Sequence, residues 1–364
     1  MESFMDNRWK ENWEESKQRF RKWWSNDGFV VGMWGGIGNT IPHEPTSDPG
    51  WLTDVEERIQ RSEWRAESIH YGMARTSFAG DILPMSNCNI AVGSLALFLG
   101  GDVSFNNNTV WLEPVYNYME ISDIPSFKIN PGNEWLKIAD DTYSSLKKYA
   151  SNKYMMGCLS LCENLDVFTS LRGTEQIMID MIEEPDWVDF KMKEINQAWF
   201  QAYSRFYDYI KLSDGSSSWS DFSIWGEGKT AVLQCDASAM ISPIMFERFV
   251  LPHLTEQCNW LDHSMFHLDG KECVAHLDYL LSIERLDAIE WSPDPSSPEG
   301  SDSYWFPMYK KILEAGKSIQ LINIEPNNVH KILDGIGTKG VYILSMPKSL
   351  EEYNELTESL ERYK

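Results

Sequence analysis

A chain of 364 residues, 42% of them hydrophobic, can bury a large core and suits one large domain. Its 55 acidic against 32 basic side chains leave a formal charge of -23, which repels phosphate backbones and anionic headgroups and argues against nucleic acid and membrane surfaces as partners. With no run near the roughly 20 apolar residues of a spanning helix and a charged start, MESFMDNRWKENWEES, the expected location is the cytoplasm.

From Asp6 to Asp27, Trp9, Trp13, Phe20 and Trp23 or Trp24 recur at intervals near three and four among charges, the period of a packed amphipathic helix. The run Phe29 to Asn39 starts with β-branched residues and passes into glycines, so a strand leading into a loop is expected. A loop from Pro42 to Pro49 and a helix from Val55 to Tyr71 complete an N-terminal helical cap over residues 1–75. The 16 tryptophans crowd this region; each either fills core or walls a site for sugars, aromatic ligands or cations.

From residue 76 short β-type runs alternate with helical stretches, as in parallel βα units. Strands are expected at Tyr154 to Leu161, Ala231 to Cys235, Ser264 to His267, Leu286 to Trp291, Ile319 to Ile324 and Val341 to Ser345. Helices fill Glu134 to Ser151, Thr174 to Ile182, Asp186 to Ile210, Pro243 to Leu261, Lys271 to Ser282, Ser303 to Ala315, Asn327 to Leu333 and Leu350 to Tyr363. Pro185 and Pro243 open helices, and Gly316 and Gly335 follow helix ends. Weaker strands at Phe78 to Leu83 and Val110 to Pro114 bring the count to eight, giving a (β/α)8 TIM barrel over residues 76–364, one structural domain together with its cap. A doubly wound open sheet is the competing architecture.

In such a barrel the functional residues follow the strands' C-terminal ends. These positions hold Glu163, Asp236 and Ser238 in QCDASAM, His267 and Asp269 in FHLDG, Glu290 and Trp291 in IEWSPDP, and Asn323 and Glu325 in INIEP. His267 and Asp269, two apart, share one face of an extended strand and suit a divalent metal, zinc first, with Glu290 or Glu325 as a third ligand. Alternatively Asp269 merely caps the helix that follows. Asp236, Glu290 and Glu325 can also act without metal, as general acids or bases in an apolar pocket. Trp225, Trp291 and Trp305 are expected to shape that pocket, with Glu163, Ser238 and Asn323 on the substrate. The polar patch Ser213 to Asp221 is either an active-site loop or a connector. Cys88, Cys158, Cys162, Cys235, Cys258 and Cys273 form no CxxC pair and read as reduced, mostly core thiols. No Walker loop, nucleophile elbow or dinucleotide fingerprint occurs, so no nucleotide cofactor is expected.

Ala231 to Gln257, Ser264 to Gly270 and Leu286 to Pro295, with Leu171 to Val188 before them, resemble the uroporphyrinogen decarboxylase-like superfamily. The resemblance spans roughly Tyr154 to Lys364 and implies a (β/α)8 barrel that either decarboxylates porphyrinogens or transfers methyl groups to thiols or corrinoid proteins. The methyltransferase branch is nearer. It carries His-x-Cys-Gly and a later cysteine as zinc ligands; the matching positions here are His267-Leu268-Asp269-Gly270 and Ser345, so an oxygen-donor site replaces a sulfur one. Gly28 to Thr40 lacks the arginines that porphyrinogen carboxylates require. The expected function is therefore methyl transfer on a small methylated substrate, with a divalent metal and a corrinoid partner protein. A carboxylate lyase or glycoside-type hydrolase, a uroporphyrinogen decarboxylase-like carboxy-lyase, and a non-catalytic binding barrel are the alternatives, and a homodimer through the Trp-rich first helix is a further expectation.

Overall fold

The computed structural model describes residues 8–34, 37–38, 41–106 and 109–363. Runs of β-branched and apolar residues form six strands: β1 (Phe29–Met33), β2 (Thr230–Gln234), β3 (His263–Asp269), β4 (Ala288–Ser292), β5 (Ser318–Ile324) and β6 (Val341–Ser345). All pair in parallel, in the order β1-β6-β5-β4-β3-β2, so the fold is mixed α/β. The strands are almost wholly buried, as in a parallel sheet covered on both faces.

Register decides what faces the site. Gln234 pairs with His267, His267 with Glu290 and Glu290 with Gln320, so these side chains form one row on one face. Leu268, Trp291 and Leu321 form the row on the opposite face.

Backbone hydrogen bonds continue from both edges of the sheet. Beside β1, the Asp81 amide donates to the Val31 carbonyl (2.9 Å) and Gly80 bridges Gly32. The approach requires glycine: Gly80 has φ +77, and a Cβ there would lie 2.7 Å from the Val31 oxygen. Met85–Ser86 then pairs in parallel with Met155–Met156, and Cys158 bridges Trp219 in parallel. The Glu163 amide donates to the carbonyl of Gln234 in β2 (3.0 Å).

Two weaker strands differ from expectation. Thr109–Glu113 pairs antiparallel with Asp102–Asn106 in a separate half-exposed hairpin, because alternation reads alike in a hairpin and a parallel strand. Between Phe78 and Leu83 only the Gly80 bridge forms. Several helices depart from their expected spans: the first runs only over Trp13–Trp24, that expected over Val55 to Tyr71 divides into Val55–Gln60 and Ser62–Ala74, and that over Lys271 to Ser282 into Gly270–Cys273, a 3-10 turn and Leu277–Ser282. That expected over Pro243 to Leu261 divides into Pro243–Phe249 and Leu251–Trp260, since Pro252 has no amide hydrogen to carry the ladder across. The helix expected to end before Gly335 runs over Pro326–Ile336 and stops at Gly337, φ +90.

The first helix, Trp13–Trp24, lies across the N-terminal ends of the strands. Trp23 donates its indole N–H to the Ile319 carbonyl (3.3 Å), Trp24 donates to Trp225 (2.8 Å) and stacks on His263. Residues 6 and 7 of the expected helix, and 35, 36 and 39 of the expected strand and loop, lie outside the described residues. The sheet thus begins within the stretch read as a cap. The tryptophans of this helix are spent on internal packing. All six cysteines are buried and free, and among the described residues no helix is long and apolar enough to cross a membrane.

Candidate metal centre

His267 projects from the C-terminal half of β3 with 12% of its side chain exposed. Its Nδ1 meets Oε2 of Glu290, the fully buried neighbour in the next strand, and Glu290 Oε1 accepts from Ser292 Oγ (2.9 Å). Burial by itself would lower the imidazole pKa. Glu290, reinforced by Asp236 and Asp269, more than offsets this and raises it to about 9. With Nδ1 engaged, Nε2 is the nitrogen left for a ligand.

Two carboxylates stand beside it. Asp236 lies two residues past the end of β2, opening the 3-10 turn Asp236–Met240, and Asp269 ends β3 two residues beyond His267. One ligand atom from each of Asp236, His267 and Asp269 lies within 4.8 Å of the others. Asp269 occupies the N-cap position of the short helix Gly270–Cys273 but makes no capping hydrogen bond; the Lys271 amide instead points at Asp294 Oδ2 (3.4 Å). The capping role is taken elsewhere, which leaves Asp269 free to bind.

Asp236 is held by its surroundings. Asp166 accepts the backbone N–H groups of Asp236 (3.0 Å) and Ala237 (2.9 Å), and Gln234 Nε2 donates to Asp236 Oδ2 (3.1 Å). Burial raises the Asp236 pKa; His267 pulls it down and Asp269 pushes it up. Among the described residues no lysine or arginine pairs with Asp236, Asp269 or Glu290. One imidazole nitrogen and two carboxylates, with a second-sphere carboxylate orienting the imidazole, fit a borderline divalent ion such as zinc, manganese or iron(II).

The other expected site residues lie apart from this cluster or beneath it. Glu325 is exposed at the start of the helix Pro326–Ile336, 3.9 Å from Lys348, and no hydrogen bond or ion pair joins it to Glu290. Asn323, exposed with φ +56, marks the irregular register between Leu321 and Ile324. Ser238 is buried and donates to Cys273 Sγ (3.3 Å). Glu163 is fully buried, caps the helix Asn164–Arg172 through Leu165 N (2.8 Å), and is pushed up to about 7 by burial against the pull of backbone N–H groups.

Trp225, Trp291 and Trp305 do not wall the centre. Trp291, next to Glu290 in β4, faces the opposite side of the sheet by strand alternation and packs on Trp305 (4.6 Å between rings). Trp305 donates to the Pro298 carbonyl (2.9 Å). Trp225 is buried under Lys17, Arg21 and Phe20 of the first helix, at the other end of the strands. The aromatic neighbour of His267 is Phe222, 4.8 Å away, with Trp34 6.3 Å beyond it. Phe222 lies just after the serine-rich patch Ser213 to Asp221, which was the available signal.

No protein-family model matches the chain, and no curated protein matches it.

Proposed function

We propose that the chain is a metal-assisted methyltransferase on a (β/α)8 barrel, acting on a small methylated substrate at the C-terminal ends of the strands. The observation that carries the reading is the Asp236, His267 and Asp269 cluster with Glu290 on the far side of the imidazole. The barrel is supported by the bonds that run from β1 through residues 80–86 and 155–163 to β2, which add two strand positions to the six of the sheet. Methyl transfer, and a corrinoid protein as the methyl carrier, rest on the resemblance of QCDASAM, FHLDG and IEWSPDP to the uroporphyrinogen decarboxylase-like superfamily. Six buried free thiols agree with a reducing, cytoplasmic setting.

Asp236, His267 and Asp269 would hold the ion. Bound there, it supplies a Lewis acid that polarises an oxygen or nitrogen of the substrate. Glu290 fixes the imidazole so that Nε2 faces the cluster, and Asp166 fixes the turn that carries Asp236. The oxygen-rich donor set suits hard or borderline ions in place of the thiolate-held zinc of the resembling enzymes.

The test is elemental analysis of protein purified without chelators, beside His267→Ala, with turnover of methylated amines and ethers followed in both. Near-stoichiometric divalent metal in the wild type, lost together with turnover in a variant that melts normally, is the expected result. Metal content and turnover that survive in His267→Ala would sink the assignment, and so would a wild type that takes up no divalent metal.

A further inference from the structure

A fourth carboxylate stands beside this cluster. Asp221 belongs to the turn that joins the hairpin strands Ser217–Trp219 and Ile224–Gly226, immediately before Phe222, whose ring lies 4.8 Å from that of His267. Asn87 Nδ2 (2.8 Å) and Asn89 Nδ2 (2.7 Å) both donate to Asp221 Oδ1. Asn89 is itself tied down, its Oδ1 accepting the Ser160 amide (2.6 Å) and its amide donating to Asn87 Oδ1 (2.8 Å). The carboxylate is therefore oriented by a fixed frame, while among the described residues Oδ2 accepts no hydrogen bond. Side-chain amides that both grip one oxygen leave the other presented to a partner.

Two further observations point to a ligand here. Gln320 stands in the same row as His267 and Glu290, is fully buried, and has an Oε1 with no partner. Such an orphaned acceptor beneath a site costs free energy unless something fills the space above it. The second is charge. Among the described residues no lysine or arginine pairs with Asp221, Asp236, Asp269 or Glu290, so the His267 imidazole is the one basic side chain set against these four carboxylates. Phe222 presents its ring beside His267, and Trp34 stands next to it, aromatic surface of the kind that attracts a desolvated cation.

We infer that the substrate of this site carries an ammonium group, held by the free oxygen of Asp221 against the Phe222 and Trp34 rings. The inference rests on the reading of this cluster as the functional site. It assigns Asp221 as the residue that selects a small organic cation over a neutral or anionic molecule of the same shape, and Asn87 and Asn89 as the groups that position it.

Isothermal titration of the metal-loaded protein with choline, its neutral carbon analogue 3,3-dimethylbutan-1-ol and the anion 3,3-dimethylbutanoate separates charge from shape. Choline is expected to bind more tightly than the neutral analogue by about tenfold or more, with the difference shrinking as salt is raised. In Asp221→Asn the preference should vanish while metal content, read by elemental analysis of the same sample, stays at the wild-type level. Equal affinities in the wild type, a preference for the anion, no binding of any probe, or a preference that survives in Asp221→Asn overturns the inference. A wild type that loads metal but binds the three probes alike refutes the ammonium site and leaves the metal centre standing. Choline preference without metal uptake refutes the metal centre alone.

Discussion

Glu163 shows how a single buried group writes itself into the stability of the protein. Its carboxyl is pushed up to about 7 from an ordinary value near 4.5, so the folded state holds a proton that the unfolded chain has already released over that interval. The sign follows: the native state binds more protons than the unfolded one between about pH 4.5 and 7, and stability from this group falls as pH rises through that window. The loss is on the order of 3 kcal/mol at most, reached above pH 7. Urea titrations at pH 5 and pH 8 should find that Glu163→Gln flattens this part of the profile, because the amide still accepts from Leu165 and carries no titrating proton. An unchanged difference between the two pH values in the variant would contradict the assignment. The expected residues Asp236, His267 and Asp269 come together in one cluster with Glu290 behind the imidazole: Asp236 two residues past the end of β2, Asp269 at the end of β3, His267 two residues before that end, and Glu290 within β4. Residue-level expectation failed for Trp291, where adjacency to Glu290 in sequence means the opposite face of the sheet. Asp221 and Asn87 reach the site through loops, and no period in the sequence records where a loop folds back.

At the scale of elements, the strands β2 to β6 were readable because continuous apolar runs bounded by turns leave little else for such segments to do. The Val110 strand was legible as a strand and misread in its pairing, since partner and direction are long-range properties. The first helix was legible as amphipathic, but not what it packs against. Its burial makes a prediction: Trp23 is fully enclosed between Phe20, Trp24 and Tyr342 and donates to β5, so Trp23→Ala leaves a large cavity where the helix meets the strand ends. The expected cost is about 3–5 kcal/mol, seen as a lowered urea midpoint. A loss below about 1 kcal/mol, the range of a surface change, would mean that the helix does not seal that end.

On the scale of the whole molecule, the division at residue 75 does not coincide with a physical seam. β1, from within the expected cap, pairs with β6 residue by residue from Phe29 with Val341 to Met33 with Ser345. A variant lacking residues 1–40 loses an entire strand of the sheet and the helix beneath it, and should yield no folded protein by circular dichroism and nuclear magnetic resonance. A well-dispersed spectrum from that truncation would restore a separable cap. For the full chain, coincident denaturation transitions from tryptophan fluorescence and far-ultraviolet dichroism are the corresponding expectation.

The β1 and β6 pairing also sets a clock on biosynthesis. Phe29 and Val341 are 312 positions apart, and at roughly 5–20 residues per second the ribosome needs about 15–60 s to deliver the second after the first. For that time the helix Trp13–Trp24, with its apolar tryptophan face, has none of its β5 and β6 partners to cover it. That aromatic face is apolar surface open to non-native contacts until the last strands emerge, and slow codons downstream would lengthen its exposure without altering the finished protein.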